Sequence, residues 1–162
     1  MLSLDLQSLL SKTHIIRILN LSRMRISDKE GAAICSAVEN DVVLKTLDLS
    51  NNDLGEKTSI ALNGALLSNL TLTDLNLSWN KLRAKGVSQI AQGLVPNLGL
   101  QYLGMAWCGM QDAGAEAFGA MLKSNQVSLF GTERNPLQRY SLPRIASLIC
   151  CLDYPCVASG SC

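Results

Sequence analysis

One spacing recurs along this chain of 162 residues and constrains its fold more than any other feature. Leu44, Leu72 and Leu100 each open the same pattern, LxxLxLxxNxL, and they stand 28 residues apart. In the last copy cysteine replaces the asparagine and methionine replaces two of the leucines. Moving back by the same interval places Ile16 at the start of a further copy. Self-similarity at this period is typical of a solenoid, in which each repeat packs only against its neighbours.

Each repeat has two halves that differ in periodicity. Leu47 and Leu49 alternate with other residues, which predicts a strand of about five residues whose leucines share one face. Later in the same repeat the apolar residues Leu62, Ala65 and Leu66 return at spacings of three and four, which indicates a helix. We therefore expect an α/β fold, a right-handed α/β solenoid with parallel strands on the concave face and helices on the convex face.

The turn after each strand has its own recurring residue. Asn52 and Asn80 occupy this position, where a buried amide can both donate to and accept from backbone groups. Cys108 replaces the asparagine in the fourth repeat, and Met24 replaces it in the first. Because methionine cannot make those hydrogen bonds, the first turn is expected to be looser or to be satisfied by water.

The repeats also suggest domain boundaries. Residues 1–15 resemble the helical half of a preceding repeat, residues 16–140 hold about 4.5 repeats of 28 residues, and residues 141–162 read as a capping helix and a cysteine-rich tail. Asparagines recur just beyond the predicted helices, where they suit a C-terminal cap. These are Asn69, Asn97 and Asn125.

The 28-residue period and the helix after each strand resemble leucine-rich repeats of the ribonuclease-inhibitor type. The likeness covers residues 16–137, and blocks such as Leu72 to Asn80 carry it. Similar repeats occur in ribonuclease inhibitor, in NOD-like receptors and in the Ran GTPase-activating protein. The resemblance implies a horseshoe segment that binds another protein, since these proteins share the scaffold and differ in what they bind.

Composition narrows the function classes. Fourteen basic and thirteen acidic residues give no broad positive field, so we expect no nucleic-acid partner. No apolar run approaches the roughly 18 residues of a membrane span, and the first residues lack the basic region of a secretory signal, so the prediction is a cytoplasmic protein without a membrane partner. Four of the six cysteines crowd the last 13 positions without paired CxxC spacing, so no metal or other cofactor is expected.

The sequence also argues against an enzyme. Its single histidine, His14, precedes the first strand and lies far from any cysteine or carboxylate that could orient it for catalysis. No glycine-rich phosphate-binding loop is present. The predicted function is therefore a non-enzymatic protein–protein interaction module, an adaptor or scaffold.

Candidate binding residues lie between the strand leucines, where they form columns along the concave face. One column places both tryptophans at equivalent positions in adjacent strands, roughly 5 Å apart, with arginines flanking them. Tryptophan, tyrosine and arginine are enriched in interface hot spots. The candidate partner-binding residues are Arg23, Asp48, Asp74, Asn76, Trp79, Tyr102, Trp107 and Arg134.

Two further interpretations stay open. The tryptophans can equally be turn residues that were copied with the repeat, their indoles packing over neighbouring turns. The module can also act as a regulator of a small GTPase, as the Ran-activating protein does on a similar scaffold, or as an assembly or oligomerisation fragment whose exposed strand edge pairs with another repeat array.

Overall fold

The computed structural model describes residues 15–124, which form a stack of strand–helix units. The strands are β1 (Ile18–Asn20), β2 (Thr46–Asp48), β3 (Asp74–Asn76) and β4 (Tyr102–Gly104), and the helices are α1 (Asp28–Glu39), α2 (Glu56–Ser68), α3 (Arg83–Leu94) and α4 (Gln111–Ser124). The strands pair in parallel in the order β1-β2-β3-β4, and each helix packs against the helix of the next repeat. The alternation of strand and helix confirms the predicted α/β solenoid.

The register of the sheet follows the 28-residue period. Leu47 pairs with Leu19 on one side and with Leu75 on the other, and Leu75 pairs with Leu103. The predicted leucine layer is therefore confirmed. Each strand has three residues rather than the predicted five, although backbone hydrogen bonds between repeats continue past it, as from the Leu49 N–H to the Asn76 carbonyl at 2.8 Å.

The core lies between the sheet and the helices. Leu47, Leu49 and Leu54 are fully buried on the strand side, and Leu62 and Ile90 meet them from α2 and α3. Burying a leucine or isoleucine side chain contributes about 1.5–3 kcal/mol relative to exposure, so the stacking of repeats is the main stabilising term. The strands need no stability of their own, because the layer on each side buries their leucines.

The turn asparagines join neighbouring repeats as well as their own. The Asn52 amide nitrogen donates to the carbonyl oxygens of Leu49 in its own repeat and Leu21 in the preceding one, both at 2.9 Å. Its Oδ1 accepts from the N–H groups of Met24 and Ile26 at 3.1 and 3.0 Å. The expectation of a loose or water-filled first turn is therefore wrong, because Asn52 satisfies the groups that Met24 cannot.

A second pair of asparagines, Asn69 and Asn97, forms hydrogen bonds at the C-terminal ends of the helices. Asn69 is the C-cap residue of α2, as predicted, and its amide nitrogen also donates to the Val38 carbonyl near the end of α1 at 2.7 Å. Helix α3 instead has Val95 as its C-cap residue. Asn97 lies two residues further on. Its backbone N–H donates to the Leu94 carbonyl at the end of α3 at 3.1 Å, and its side-chain amide donates to the Leu66 carbonyl of α2 at 2.7 Å, so it contacts the ends of both helices.

Several predictions fall outside the described residues. These are His14, the helical half-repeat over 1–15 except Ile15, the part of the repeat domain after residue 124 with Asn125 and Arg134, and the segment 141–162. None of the helices α1–α4 combines the length and the apolar character that a membrane-spanning helix requires.

Candidate protein-interaction surface

The two tryptophans form an exposed stacked pair. The ring centroids of Trp79 and Trp107 are 5.0 Å apart, and the ring planes are inclined by 19°. Trp79 is 55% exposed and Trp107 is 41% exposed. Such a pair gains about 0.5–1.5 kcal/mol beyond its area burial, which holds the two rings together while their outer surfaces stay open to solvent.

The tryptophans stand in turns rather than on strands, which corrects the sequence-based placement. Trp79 has φ +60° and Trp107 has φ +58°, and the equivalent residues Arg23 and Asn51 both have φ +59°. Within residues 15–124 the predicted column is thus preserved, but each of its four described members adopts the left-handed conformation three residues after its strand ends. Asparagine tolerates this conformation, whereas other non-glycine residues lose roughly 1–2 kcal/mol in it.

The second predicted column lies on the strands themselves. Asp74 pairs with Thr46 on one side and with Tyr102 on the other, so the three side chains stand side by side on the concave face. Tyr102 is 55% exposed. One oxygen of Asp74 accepts a hydrogen bond from the Thr73 hydroxyl at 2.7 Å, which fixes the carboxylate beside the tyrosine's strand.

The side chains of Asp48 and Asn76 form hydrogen bonds with the backbone of their own turns. Each lies at the end of its strand, and its Oδ1 accepts from the backbone N–H two residues later, Ser50 at 2.9 Å and Ser78 at 3.1 Å. These Asx turns lead the chain from the strand into the left-handed residue. One side-chain oxygen of each is therefore engaged, and a role in orienting a partner stays a prediction.

The structure describes only one of the two arginines that were predicted to flank the tryptophans. Arg23 is exposed and belongs to the tryptophan column, but Asn51 lies between Arg23 and Trp79. Two strand spacings, roughly 10 Å, therefore separate Arg23 from Trp79 along the stack. Arg134 lies outside the described residues.

A basic cleft at the starts of α2, α3 and α4 was missed in the sequence. It has a volume of about 480 Å³, and its lining comprises Gly55, Glu56, Lys81, Leu82, Arg83, Ala84, Lys85 and Gln111. Lys81 follows Trp79 by two residues in the same turn. The signal was present in the segment Lys81 to Lys85, which holds three basic residues in five positions and no acidic one.

The opposite edge of the solenoid, where the helices end and the strands begin, has a different character. Val42, Leu70 and Leu98 repeat there at the 28-residue period and are 66%, 59% and 65% exposed. The sequence analysis also missed this apolar edge. Its residues lie in the short segments between each helix and the next strand, where neither the helical nor the strand periodicity applies. The two edges of the stack therefore differ in chemistry, one basic and aromatic, the other apolar.

Comparison with known proteins agrees with this architecture. Residues 43–65 match a family model described as Leucine Rich Repeat, and residues 68–91 and 98–119 match a second one with the same description. No curated protein matches the chain at a significant level.

Solved structures resemble the chain in fold. A structure described as leiomodin-1 actin-binding site 2 has a TM-score of 0.71 and 20% sequence identity, and the match covers 91% of this chain and 86% of that one. The tropomodulin C-terminal domain of Caenorhabditis elegans has a TM-score of 0.70 and 12% identity, with 92% of each chain covered. The chain therefore contains leucine-rich repeats, and they form an α/β solenoid.

Proposed function

We propose that this chain is a non-enzymatic protein-interaction module that holds a partner on its concave face, through Tyr102 on the strands and Trp79 and Trp107 in the turns that border them. The observation that carries the proposal is the stacked, half-exposed tryptophan pair, which offers a large apolar surface on a rigid support. Aromatic anchors of this kind dominate binding energy because they bury much area and lose little conformational freedom. Asp48, Asp74, Asn76 and, at its far end, Arg23 supply the polar surroundings, and Arg134 is proposed to extend them.

The backbone supports this role for the tryptophans over a purely structural one. Both indoles sit on residues with left-handed φ, where a tryptophan gives up stability that an asparagine or glycine would keep. Asn51 occupies the same position in the second repeat, so the fold accepts a small polar residue there. The turns do not need an aromatic ring at this position, yet two successive turns carry an exposed one. This favours the interpretation that the rings bind another protein.

Actin is the first partner to test. The leiomodin-1 structure similar to this chain is described as an actin-binding site, and the similarity extends over most of both chains. At 20% identity the likeness is one of fold, so no binding residue is transferred from leiomodin to this chain.

Two finer assignments belong to the same proposal. The repeats are proposed to be of the ribonuclease-inhibitor type, which the helices of 12–14 residues in every described repeat support. The protein is proposed to be cytoplasmic, and the burial of Cys35 and Cys108 as thiols outside any disulfide suits a reducing compartment.

The test replaces Trp79 and Trp107 together with asparagine, the residue that repeat two already carries in the same conformation. The purified variant should still unfold cooperatively, but it should no longer co-sediment with filamentous actin. If the wild type does not bind actin, the assay uses a partner that was isolated on the wild-type protein and then purified, and the variant should not bind it. The matched control changes Leu70 and Leu98 to asparagine, which removes two exposed apolar side chains from the opposite edge.

The control should bind as the wild type does. If the tryptophan variant retains full binding while it is folded, the proposed surface is wrong. The two other interpretations, regulation of a small GTPase and assembly of repeat arrays, stay predictions. Stimulated GTP hydrolysis would favour the first, and a mass that rises with concentration would favour the second.

A further inference from the structure

Within residues 15–124, the edge that carries the tryptophans also carries most of the exposed charged side chains. We call it the turn edge and define it as residues 21–29, 49–57, 77–85 and 105–112, which lead from each strand into its helix. Its basic residues are all exposed, and they are Arg23, Arg25, Lys29, Lys57, Lys81, Arg83 and Lys85. Its acidic residues are Asp28, Asp53, Glu56 and Asp112.

The acidic residues on this edge are largely engaged within the protein. The Asp28 carboxylate accepts hydrogen bonds from backbone N–H groups at the start of α2. Asp53 pairs with Lys81 at 2.6 Å, and Glu56 stands 3.9 Å from Lys85. Arg83 makes no ion pair within the described residues and lines the cleft between these two lysines. Arg83 is therefore the cation of the third repeat that is left for an external group, and the two lysines beside it are held only by exposed ion pairs.

The opposite edge provides an internal comparison. The segments 40–45, 69–73 and 95–101, which lead from the helices back to the strands, contain only two charged residues. Asp41 is buried, and Lys45 is exposed. Positive charge is thus concentrated on the side of the solenoid where Trp79 and Trp107 stand, although the chain as a whole has a net charge of only +1.

We propose that the partner segment recognised here is an acidic stretch of protein, whose carboxylates lie along Lys81, Arg83 and Lys85 while an apolar side chain packs on the Trp79–Trp107 pair. This inference rests on the proposed function and names the chemistry of its partner. Arg83 offers a guanidinium fork that matches carboxylate geometry, and the lysines add positive charge on either side of it.

The Lys81–Asp53 ion pair does not prevent this binding. The side chains of Lys81 and Asp53 are 71% and 55% exposed, and an exposed pair contributes about 0–1 kcal/mol. A partner carboxylate can therefore replace Asp53 at small cost. The same reasoning predicts that Asp53→Asn strengthens binding, because it removes both the competing acceptor and a charge that repels the partner.

Intrinsic fluorescence offers a direct measurement, since Trp79 and Trp107 are the only tryptophans in the sequence. The probe is a synthetic peptide of alternating glutamate and leucine, and the matched probe replaces glutamate with lysine. The glutamate peptide should change the tryptophan emission of the wild type. Its affinity should fall about tenfold at high ionic strength, and about tenfold when the double variant Arg83→Glu, Lys85→Glu replaces the wild type. Lys45→Glu, the same reversal on the opposite edge, should bind as the wild type does.

Three outcomes would overturn the inference: equal binding of both peptides, unchanged affinity of the Arg83→Glu, Lys85→Glu variant, or binding of a single-stranded oligonucleotide without any response to the glutamate peptide. The proposed function fails separately. If the purified partner is lost by the Trp79→Asn, Trp107→Asn variant but bound normally by Arg83→Glu, Lys85→Glu, the module binds protein through its tryptophans and the acidic chemistry is wrong.

Discussion

Asp28 caps the helix of the next repeat by binding Thr58 twice. Its Oδ1 accepts from the Thr58 backbone N–H at 2.8 Å and from the Thr58 hydroxyl at 2.8 Å. The same oxygen accepts from the Gly55 N–H at 2.8 Å. Gly55 is the N-cap residue of α2 and has no side chain with which to cap the helix itself. One carboxylate of α1 therefore closes α2 and ties two repeats together.

The capping interaction predicts a pH-dependent stability. Partial burial raises the pKa of Asp28, but hydrogen bonds from Thr58, Lys57 and Gly55 outweigh it, so the pKa lies below its ordinary value of 3.8. A pKa that is lower in the folded state gives stability above the unfolded-state pKa, and this stability is lost as pH falls through the folded-state pKa. Asp28→Ala should lower the free energy of unfolding by about 1–2 kcal/mol at neutral pH.

Urea unfolding at neutral pH and near pH 3 checks this prediction. The difference between Asp28→Ala and the wild type should shrink in acid, because the unfolded wild-type chain binds a proton at Asp28 more readily than the folded protein, in which the pKa is lower. Glu56→Gln is the matched control, since Glu56 holds the equivalent position one repeat later and is exposed. A control that loses as much stability as Asp28→Ala, or a difference independent of pH, would contradict the capping role.

The sequence predicted the parts of the fold that repeat. Leu47, Leu75 and Leu103 recur at a fixed interval, and identical packing in each coil is the only arrangement that buries them all, so their register could be read directly. The turn position of Asn52 was also predicted. The hydrogen bonds from Asn52 to the preceding repeat were not predicted. The recurring asparagine shows that the turn needs an amide, but the sequence does not show which repeat that amide binds.

The candidate surface was predicted less completely. The column of Trp79 and Trp107 was found, but its left-handed backbone was not, since only Asn51 in that column belongs to a residue type that favours positive φ. The cleft near Arg83 was missed because overall charge balance hides a local excess of basic residues. Local charge within one repeat was the signal that could have revealed it.

The turn asparagine of the third repeat yields a second prediction. The Asn80 Oδ1 accepts from the Leu54 N–H at 3.1 Å, and its amide nitrogen donates to the carbonyls of Leu49 and Leu77 at 3.0 and 2.7 Å. Asn80→Ala leaves the buried Leu54 N–H without its acceptor and removes one of the two donors to each carbonyl, since the Leu49 oxygen also accepts from Asn52 and the Leu77 oxygen from Cys108. The change should cost about 1–3 kcal/mol in the free energy of unfolding. Chemical denaturation measures the loss.

Asn80→Cys sharpens the same experiment, because repeat four already carries cysteine at this position. The Cys108 thiol donates to the Leu77 carbonyl at 3.1 Å, which replaces one of the asparagine's bonds. Asn80→Cys should therefore lose less stability than Asn80→Ala. Gln92→Ala, a change at an exposed helix position, is the control and should alter stability by less than about 0.5 kcal/mol. Equal losses for alanine and cysteine would show that the turn does not depend on donation to the preceding repeat.

The buried thiol of Cys35 gives the last prediction. Burial, with a smaller contribution from the Asp28 charge, raises the pKa of Cys35 to about 12. Since the thiolate is the reactive form, Cys35 should resist alkylation in the folded protein and react only after unfolding. A variant with the four tail cysteines changed to serine leaves Cys35 and Cys108, both buried. Its labelling rate should follow the unfolded fraction as urea is added, whereas rapid labelling without denaturant would show that the helix face carrying Cys35 opens to solvent in the native state.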